Sequence, residues 1–232
     1  MIVFENVTFG YEPERAVIRK ASFTLSPGLY LLLGPNGCGK STLLKLAAGV
    51  ERTDKGRILA GDADFWKDET KARQSLSYLP EFPDITPYAA LSDVLRLVCR
   101  LRGAPLEAGE RALETFGLAD EAGRSIRELS SGQRKRALFA AAIIGHPAHI
   151  LLDEPLDALD RQIADDVLAW IRLRMAEGGT LAVVSHAIEP FADLATRAIT
   201  VRQGLVEQHE TLPRSLEERF HLLDSLARGV EV

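Results

Sequence analysis

The residues best suited to chemistry lie at positions 34–41, which read Gly-Pro-Asn-Gly-Cys-Gly-Lys-Ser. This order fits the phosphate-loop pattern G-x-x-x-x-G-K-[ST], in which glycines let several backbone N–H groups point at one anion. Lys40 is expected to reach the β- and γ-phosphates of a nucleotide, and Ser41 to bind Mg²⁺. The predicted nucleotide-binding residues of this segment are Gly34, Pro35, Asn36, Gly37, Cys38, Gly39, Lys40, Ser41 and Thr42.

The segments on either side of this loop supply the elements that a phosphate site needs. An apolar run at 29–33 predicts a strand, and residues 42–48 predict a helix that ends at Gly49. The start of such a helix adds free N–H groups and the positive end of its dipole. The chain is therefore predicted to bind a nucleoside triphosphate.

Two carboxylates follow a second apolar strand. Residues 150–152 are Ile-Leu-Leu, and Asp153 and Glu154 come directly after them. A strand that ends in two acids places them at the carboxyl edge of a parallel sheet, beside the phosphate loop. Asp153 is expected to hold Mg²⁺, and Glu154 to polarise an attacking water as a catalytic residue together with Lys40.

Composition narrows the class of protein. The 232 residues are 46% hydrophobic and carry a formal net charge of −5, which argues against a nucleic-acid partner. No apolar run approaches 18 residues, and the N-terminus lacks the pattern of a signal peptide. Two cysteines do not make a disulfide framework, so we expect a reducing cytoplasm.

The order of segments predicts one domain, 1–232, with internal divisions. Residues 1–33 alternate like strands, with separate strands at 2–4 and 7–9, whereas 85–135 are rich in helix formers and predict a helical subdomain. Residues 149–201 alternate between strands and helices, including a helix at 190–195, which predicts a parallel sheet. The last segment, 213–232, is expected to form a terminal helix and tail.

Several further motifs resemble those of the ATP-binding-cassette (ABC) ATPases. Residues 129–133, Leu-Ser-Ser-Gly-Gln, are similar to the LSGGQ signature, with Ser131 in place of a glycine. Residues 156–160 resemble the D-loop of that family. Tyr11 stands where the family has an aromatic residue, and His186 follows the next strand where it has a switch histidine.

The resemblance implies a fold and a set of roles. The fold would be α/β: a RecA-like P-loop NTPase core with a mainly parallel sheet, an N-terminal antiparallel β subdomain and an inserted α-helical subdomain. Tyr11 would stack on adenine, and His186 would act on the γ-phosphate as a third catalytic residue. Ser130, Gly132 and Gln133 would bind ATP held by a second subunit, in a head-to-tail dimer. From the residues alone, Ser130 also fits a helix cap, and the two roles are compatible.

Besides Ser131, a second position departs from the family pattern. Glu81 stands where the family usually has a glutamine that contacts Mg²⁺ and senses the membrane partner. A carboxylate is also a hard oxygen ligand, so Glu81 is predicted to bind Mg²⁺. The alternative is that its side chain points to solvent.

The resemblance implies the ATP-hydrolysing subunit of an ABC transporter, with ATP and Mg²⁺ as cofactors. Its partners would be a separate transmembrane permease and a second ATPase subunit, in a homodimer or a pseudo-dimer. The chain would then lie on the cytoplasmic, inner face of the cell membrane. The alternative is a soluble ABC-type ATPase that assembles or remodels, for example in iron–sulfur cluster assembly. Neither the cargo nor the direction of transport can be read from these motifs.

Overall fold

The computed structural model describes residues 1–81 and 86–229, which form two compact units. The core unit comprises Met1–Tyr78, Ala148–Pro155 and Arg172–Val232, and the helical unit comprises Leu79–Pro147 and Leu156–Ile171. Residue 85, where the predicted helical subdomain begins, and residues 230–232 of the predicted tail lie outside the described residues.

Strands and helices alternate along much of the described chain. Its strands are β1 (Ile2–Phe9), β2 (Ile18–Leu25), β3 (Gly28–Leu33), β4 (Lys55–Ala60), β5 (Ala63–Asp64), β6 (Leu76–Leu79), β7 (His149–Asp153), β8 (Thr180–Val184), β9 (Arg197–Arg202) and β10 (Leu205–His209). Its α-helices are α1 (Lys40–Ala47), α2 (Glu69–Gln74), α3 (Leu91–Leu101), α4 (Glu107–Thr115), α5 (Ser131–Ile143), α6 (Arg161–Ala176), α7 (Glu189–Ala192) and α8 (Leu216–Arg228).

Two sheets organise the strands. One has four strands in the order β2-β1-β4-β5, and its pairings are antiparallel. The other has six strands in the order β10-β9-β3-β8-β7-β6. In this sheet β9, β3, β8 and β7 run parallel, while β10 pairs antiparallel with β9. The predicted α/β fold, with an antiparallel sheet and a mainly parallel one, is confirmed.

The parallel strands are mostly apolar, as expected for a sheet that is covered on both faces. All five residues of β7 and all five of β8 are buried. Leu32 of β3 and Leu43 of α1 belong to one apolar cluster with Val184. Each fully buried leucine or valine contributes roughly 1.5–3 kcal/mol of transfer free energy, so this cluster fixes the strand ends firmly.

The N-terminal sheet corrects one prediction. The sequence pattern indicates separate strands at 2–4 and 7–9, but β1 is continuous. Asn6 adopts a left-handed conformation with φ of 50°, and its N–H donates to Ser22 Oγ over 2.9 Å. The register with β2 shifts between Phe4 and Val7. The strand therefore continues through a β-bulge and is not interrupted by a turn.

A second correction concerns α7. The helix predicted at 190–195 is a single turn, Glu189–Ala192. Arg219 Nη1 donates to the carbonyl oxygens of Ala192 and Asp193 over 3.3 and 3.2 Å. These carbonyls at the end of the turn are therefore satisfied by a distant side chain instead of by a further helical turn.

The helical unit packs around aromatic side chains. Phe139 of α5 stacks on Phe116 at 5.9 Å and meets Trp170 of α6 edge-on at 6.3 Å, between ring centroids. The carboxyl end of α5 is closed by Arg102, whose Nη1 donates to the carbonyls of Ala142 and Ile144. Burial lowers the pKa of Arg102, and these carbonyls compensate part of the desolvation.

Candidate phosphate-binding site

Three parallel strands end side by side at the candidate site. Leu32 near the end of β3 pairs with Val184 at the end of β8, and Val184 pairs with Asp153 at the end of β7. The loops that follow these strands therefore emerge at one edge of the sheet, where ligands bind in open α/β folds.

The loop after β3 depends on its glycines. Gly34, Gly37 and Gly39 have φ values of 138°, 75° and 111°, a region that L side chains rarely adopt. A Cβ at Gly34 would also overlap the carbonyl oxygen of Val201 and lie 2.9 Å from the Cys38 Sγ. No side chain among the described residues caps α1, whose N-cap is Gly39, so its first N–H groups suit an anion.

Lys40 lies across this loop. Its Nζ donates to the carbonyl oxygens of Gly34 and Pro35 over 2.8 and 3.1 Å, and the residue is only 9% exposed. These two carbonyls hold the ammonium over the curled backbone. The cation therefore stands where the loop amides converge.

Ser41 and Asp153 form a pair of oxygen donors. The Ser41 hydroxyl donates to Asp153 Oδ1 over 3.2 Å, and Asp153 is 3% exposed. Mg²⁺ is bound in nucleotide sites by one or two protein oxygens together with waters and phosphate oxygens. A hydroxyl beside a carboxylate fits that chemistry, so two of the three predicted magnesium ligands, Ser41 and Asp153, lie together.

Glu154 and His186 are also brought together. The His186 N–H donates to Glu154 Oε2 over 3.1 Å, and His186 Nε2 lies 3.6 Å from Glu154 Oε1. Glu154 is buried and has φ of 48°, and its own N–H donates to Val184 O over 2.9 Å. A bulky residue held in a left-handed conformation costs about 1–3 kcal/mol, and such strain concentrates at functional sites.

Tyr11 lies at the rim of a cavity of about 590 Å³. Its ring is edge-on to Phe9 at 5.0 Å, its hydroxyl lies 3.4 Å from Thr42 Oγ1, and 57% of the residue is exposed. An exposed aromatic face beside a phosphate loop is suited to stacking on a base. The cavity is lined by Tyr11, Glu12, Arg15, Ala16, Val17, Arg19, Gly37, Cys38, Gln203 and Gly204.

Sequence reasoning missed the far wall of this cavity. Gln203 and Gly204 form the turn between β9 and β10, and both have positive φ, 49° and 83°. The Gly204 carbonyl accepts from the Arg19 N–H over 2.7 Å, which ties the turn to β2. A polar residue followed by glycine between two apolar runs was the available signal for a hairpin.

The remaining predicted site residues belong to the helical unit. Ser130 caps α5: its Oγ accepts from the Gln133 N–H over 3.2 Å, and its N–H donates to Gln133 Oε1 over 2.9 Å. A Cβ at Gly132 would lie 3.4 Å from the carbonyl oxygen of Ala158, which is an ordinary van der Waals contact. Glu81 is exposed, and residues 82 and 83 after it lie outside the described residues.

The fold and this site define a nucleotide-binding protein of the P-loop class, and three comparisons narrow the class. The family model described as ABC transporter matches residues 18–157. The Fe(3+) ions import ATP-binding protein FbpC of Agrobacterium fabrum is 35% identical over 229 residues, covering 94% of this chain and 62% of that protein. The aliphatic sulfonates import ATP-binding protein SsuB 2 of Pseudomonas fluorescens is 34% identical over 227 residues, covering 96% and 81%.

Among solved structures, a bacterial ABC transporter cassette described as dimeric has the same fold. Its TM-score is 0.81 at 24% identity, covering 92% of this chain and 100% of that one. The chain belongs to the ABC transporter family. The resemblance predicted from the motifs is thereby confirmed, and the chain is an ATP-binding cassette of that family. Among the described residues, no helix is both long and apolar enough to cross a membrane.

Proposed function

We propose that this chain hydrolyses ATP to power transport through a separate membrane subunit. The observation that carries the proposal is the meeting of two pairs, Ser41 with Asp153 and Glu154 with His186, at one edge of the parallel sheet. The matched relatives are named as import ATP-binding proteins, which favours import and does not favour a soluble remodelling ATPase. Their cargoes differ, iron(III) and aliphatic sulfonates, so no cargo is assigned here.

The chemistry follows from the positions of these side chains. Lys40 and the loop amides stabilise the negative charge of the β- and γ-phosphates. Ser41 and Asp153 would hold Mg²⁺, with Glu81 as a further proposed ligand, and bound Mg²⁺ would neutralise charge on the phosphate oxygens. Glu154 accepts a proton from the attacking water, and His186 donates a hydrogen bond to the γ-phosphate.

A dimer completes the site. Ser130, Gly132 and Gln133 at the start of α5 bind the γ-phosphate of ATP held by the phosphate loop of another copy or of a closely related subunit. The related cassette described as dimeric supports dimerisation. ATP then joins two subunits, and hydrolysis with product release separates them.

The permease docks on the surface that carries Glu81 and the predicted helical subdomain, 85–135. Residues 1–232 act as one ATPase domain, and 213–232 form its C-terminal segment. The contact with the permease would hold the chain at the inner face of the membrane.

The test is Glu154→Gln, which keeps the shape of the side chain but removes the proton acceptor. We expect ATP hydrolysis to fall at least about 100-fold, the usual size of a general-base contribution, while ATP traps a dimer seen by gel filtration. Glu114→Gln, an exposed glutamate of α4, is the matched control and should change neither. Unreduced hydrolysis, or a purely monomeric Glu154→Gln protein with ATP and Mg²⁺, would contradict the mechanism.

A further inference from the structure

We propose that Glu121 is a positioning residue that acts through Gln133 on Ser130. The proposal rests on the proposed function, in which the Ser130 hydroxyl binds a phosphate held by a second subunit. Glu121 lies ten residues before the signature helix α5, at the end of a short 3-10 turn, Ala119–Glu121. Nothing in the motif pattern of the sequence singled it out.

A chain of hydrogen bonds joins the three residues. Gln133 Nε2 donates to Glu121 Oε1 over 3.0 Å, and Gln133 Oε1 accepts from the Ser130 N–H over 2.9 Å. Each end of the amide therefore has a partner of opposite character. A flipped amide would place oxygen against the carboxylate and NH₂ against the Ser130 N–H, so Glu121 fixes the orientation.

This orientation determines what Ser130 can offer a ligand. The Ser130 Oγ accepts a hydrogen bond from the backbone N–H of Gln133 over 3.2 Å, and the backbone N–H of Ser130 donates to the side-chain oxygen of Gln133. The hydroxyl hydrogen is left to donate. Phosphate oxygens accept hydrogen bonds, and Ser130 is exposed, so the cap presents a donor of the required kind to an incoming nucleotide.

Glu121 is itself held in place. Its side chain is only 18% exposed, and its second oxygen, Oε2, lies 2.8 Å from Arg124 Nη1. The carboxylate thus uses one oxygen for an ion pair on the surface and the other for Gln133. Removal of Arg124 tests the ion pair alone, whereas removal of Glu121 tests both contacts.

The experiment compares Glu121→Ala with Arg124→Gln in the Glu154→Gln background. Dimer dissociation is measured with ATP and Mg²⁺ by analytical ultracentrifugation, and ATP binding to the monomer is measured at protein concentrations below the dimer range. We expect Glu121→Ala to weaken the dimer about tenfold, as for loss of one hydrogen bond to a charged group, with monomer affinity within about twofold. Arg124→Gln should leave both values within about twofold.

A donor–acceptor exchange separates positioning from general stability. Gln133→Glu places two carboxylates together and should weaken the dimer at least as much as Glu121→Ala. Adding Glu121→Gln reverses donor and acceptor and should recover part of the dimer affinity lost in Gln133→Glu, while the remaining loss reflects the carboxylate placed beside the γ-phosphate. Thermal unfolding of each variant reports any loss of stability. We expect the recovery of the dimer not to follow the changes in stability.

The outcomes distinguish the two proposals. If the Glu154→Gln background dimerises with ATP but Glu121→Ala has no effect, or the double variant is not rescued, only the role of Glu121 is overturned. If the background protein itself remains monomeric, the proposed function and the role of Glu121 are overturned together.

Discussion

Helices α1 and α5 both begin at a predicted phosphate site, but their first turns are completed in different ways. The turn before α1 ends in Gly39, a left-handed residue with no side chain, and the described residues contain no cap for it. The turn before α5 ends in Ser130, whose side chain and whose partner Gln133 satisfy each other's backbone N–H groups. The first helix start leaves its N–H groups to a ligand or to water, whereas in the second the capping box already satisfies two backbone N–H groups.

This difference indicates how the two sites divide their work. A start without a cap has its N–H groups ready to bind, so we expect it to hold the nucleotide in a single subunit. A capped helix start is already stable, so we expect its contact with the nucleotide to be weaker and more polar than that of α1. Such a contact suits a surface that must open again after each cycle.

The largest expected effect comes from Gly34→Ala, which changes the glycine-rich loop before α1. The new Cβ would be strained by φ of 138° and would overlap the Val201 carbonyl oxygen. We expect ATP affinity to fall about 100-fold, which corresponds to roughly 3 kcal/mol of strain. Calorimetric titration with ATP and Mg²⁺ measures it. Gly123→Ala, whose Cβ meets nothing within 4 Å, is the control, and equal affinities in both variants would break the comparison.

A fall in pH is expected to lower the stability of the sheet behind the first helix start. His149 begins β7, the strand that ends in Asp153, and burial, helped by the positive Met1 amine 3.4 Å away, lowers its pKa to about 4. The unfolded chain therefore takes up this proton at a higher pH than the folded chain. The contribution of neutral His149 to the free energy of unfolding is therefore expected to be fully present above pH 6.5. It is lost as the pH drops towards 4, by about 3 kcal/mol in total.

Urea unfolding of the wild type and His149→Asn at several pH values measures this loss. The variant should lose less stability between pH 6.5 and pH 4 than the wild type, whatever its stability at neutral pH. If the two profiles stay parallel, His149 does not account for the acid sensitivity. ATP binding measured alongside would show whether an acid loss of binding reflects the sheet or the phosphate loop.

The smallest expected effect is that of Ser130→Ala at the capped start. Loss of an N-cap side chain costs about 1 kcal/mol, whereas glycine at this position costs only a few tenths. Thermal unfolding should therefore rank the wild type, Ser130→Gly and Ser130→Ala in order of falling stability, with ATP binding to the monomer unchanged. A drop in monomer affinity as large as that of Gly34→Ala would show that the two starts do not divide the work as we infer.

Much of the first site could be predicted because its pattern is local. The glycines, Lys40 and Ser41 lie within one loop, and Asp153 and Glu154 directly follow an apolar strand. Adjacent parallel strands then bring these segments to one sheet edge. The meeting of Ser41 with Asp153 follows from those local patterns, whereas the family and the RecA-like fold follow from the further motifs at 129–133 and 156–160.

The parts that were missed depend on distant contacts. Gln203 reaches the cavity beside Tyr11 only because β10 folds back on β9, and a five-residue strand of mixed polarity gives little periodic signal. Glu121, which belongs to no recognised motif, meets Gln133 only through a contact between their side chains. The single turn of α7 and the bulge at Asn6 are likewise decided by Arg219 and by Ser22. The roles in nucleotide binding, metal binding and catalysis assigned to the predicted site residues all stay predictions, including those of Ser130, Gly132, Gln133 and Glu81.

The closure of α5 by Arg102 has a mechanical consequence. The Ser130 cap secures one end of the helix and the guanidinium secures the other, so unwinding at either end would break several hydrogen bonds. Thirteen residues span about 20 Å at 1.5 Å each. A push on the last turn of α5 would therefore arrive at Ser130 as a displacement of a stiff rod, with little of it absorbed along the way.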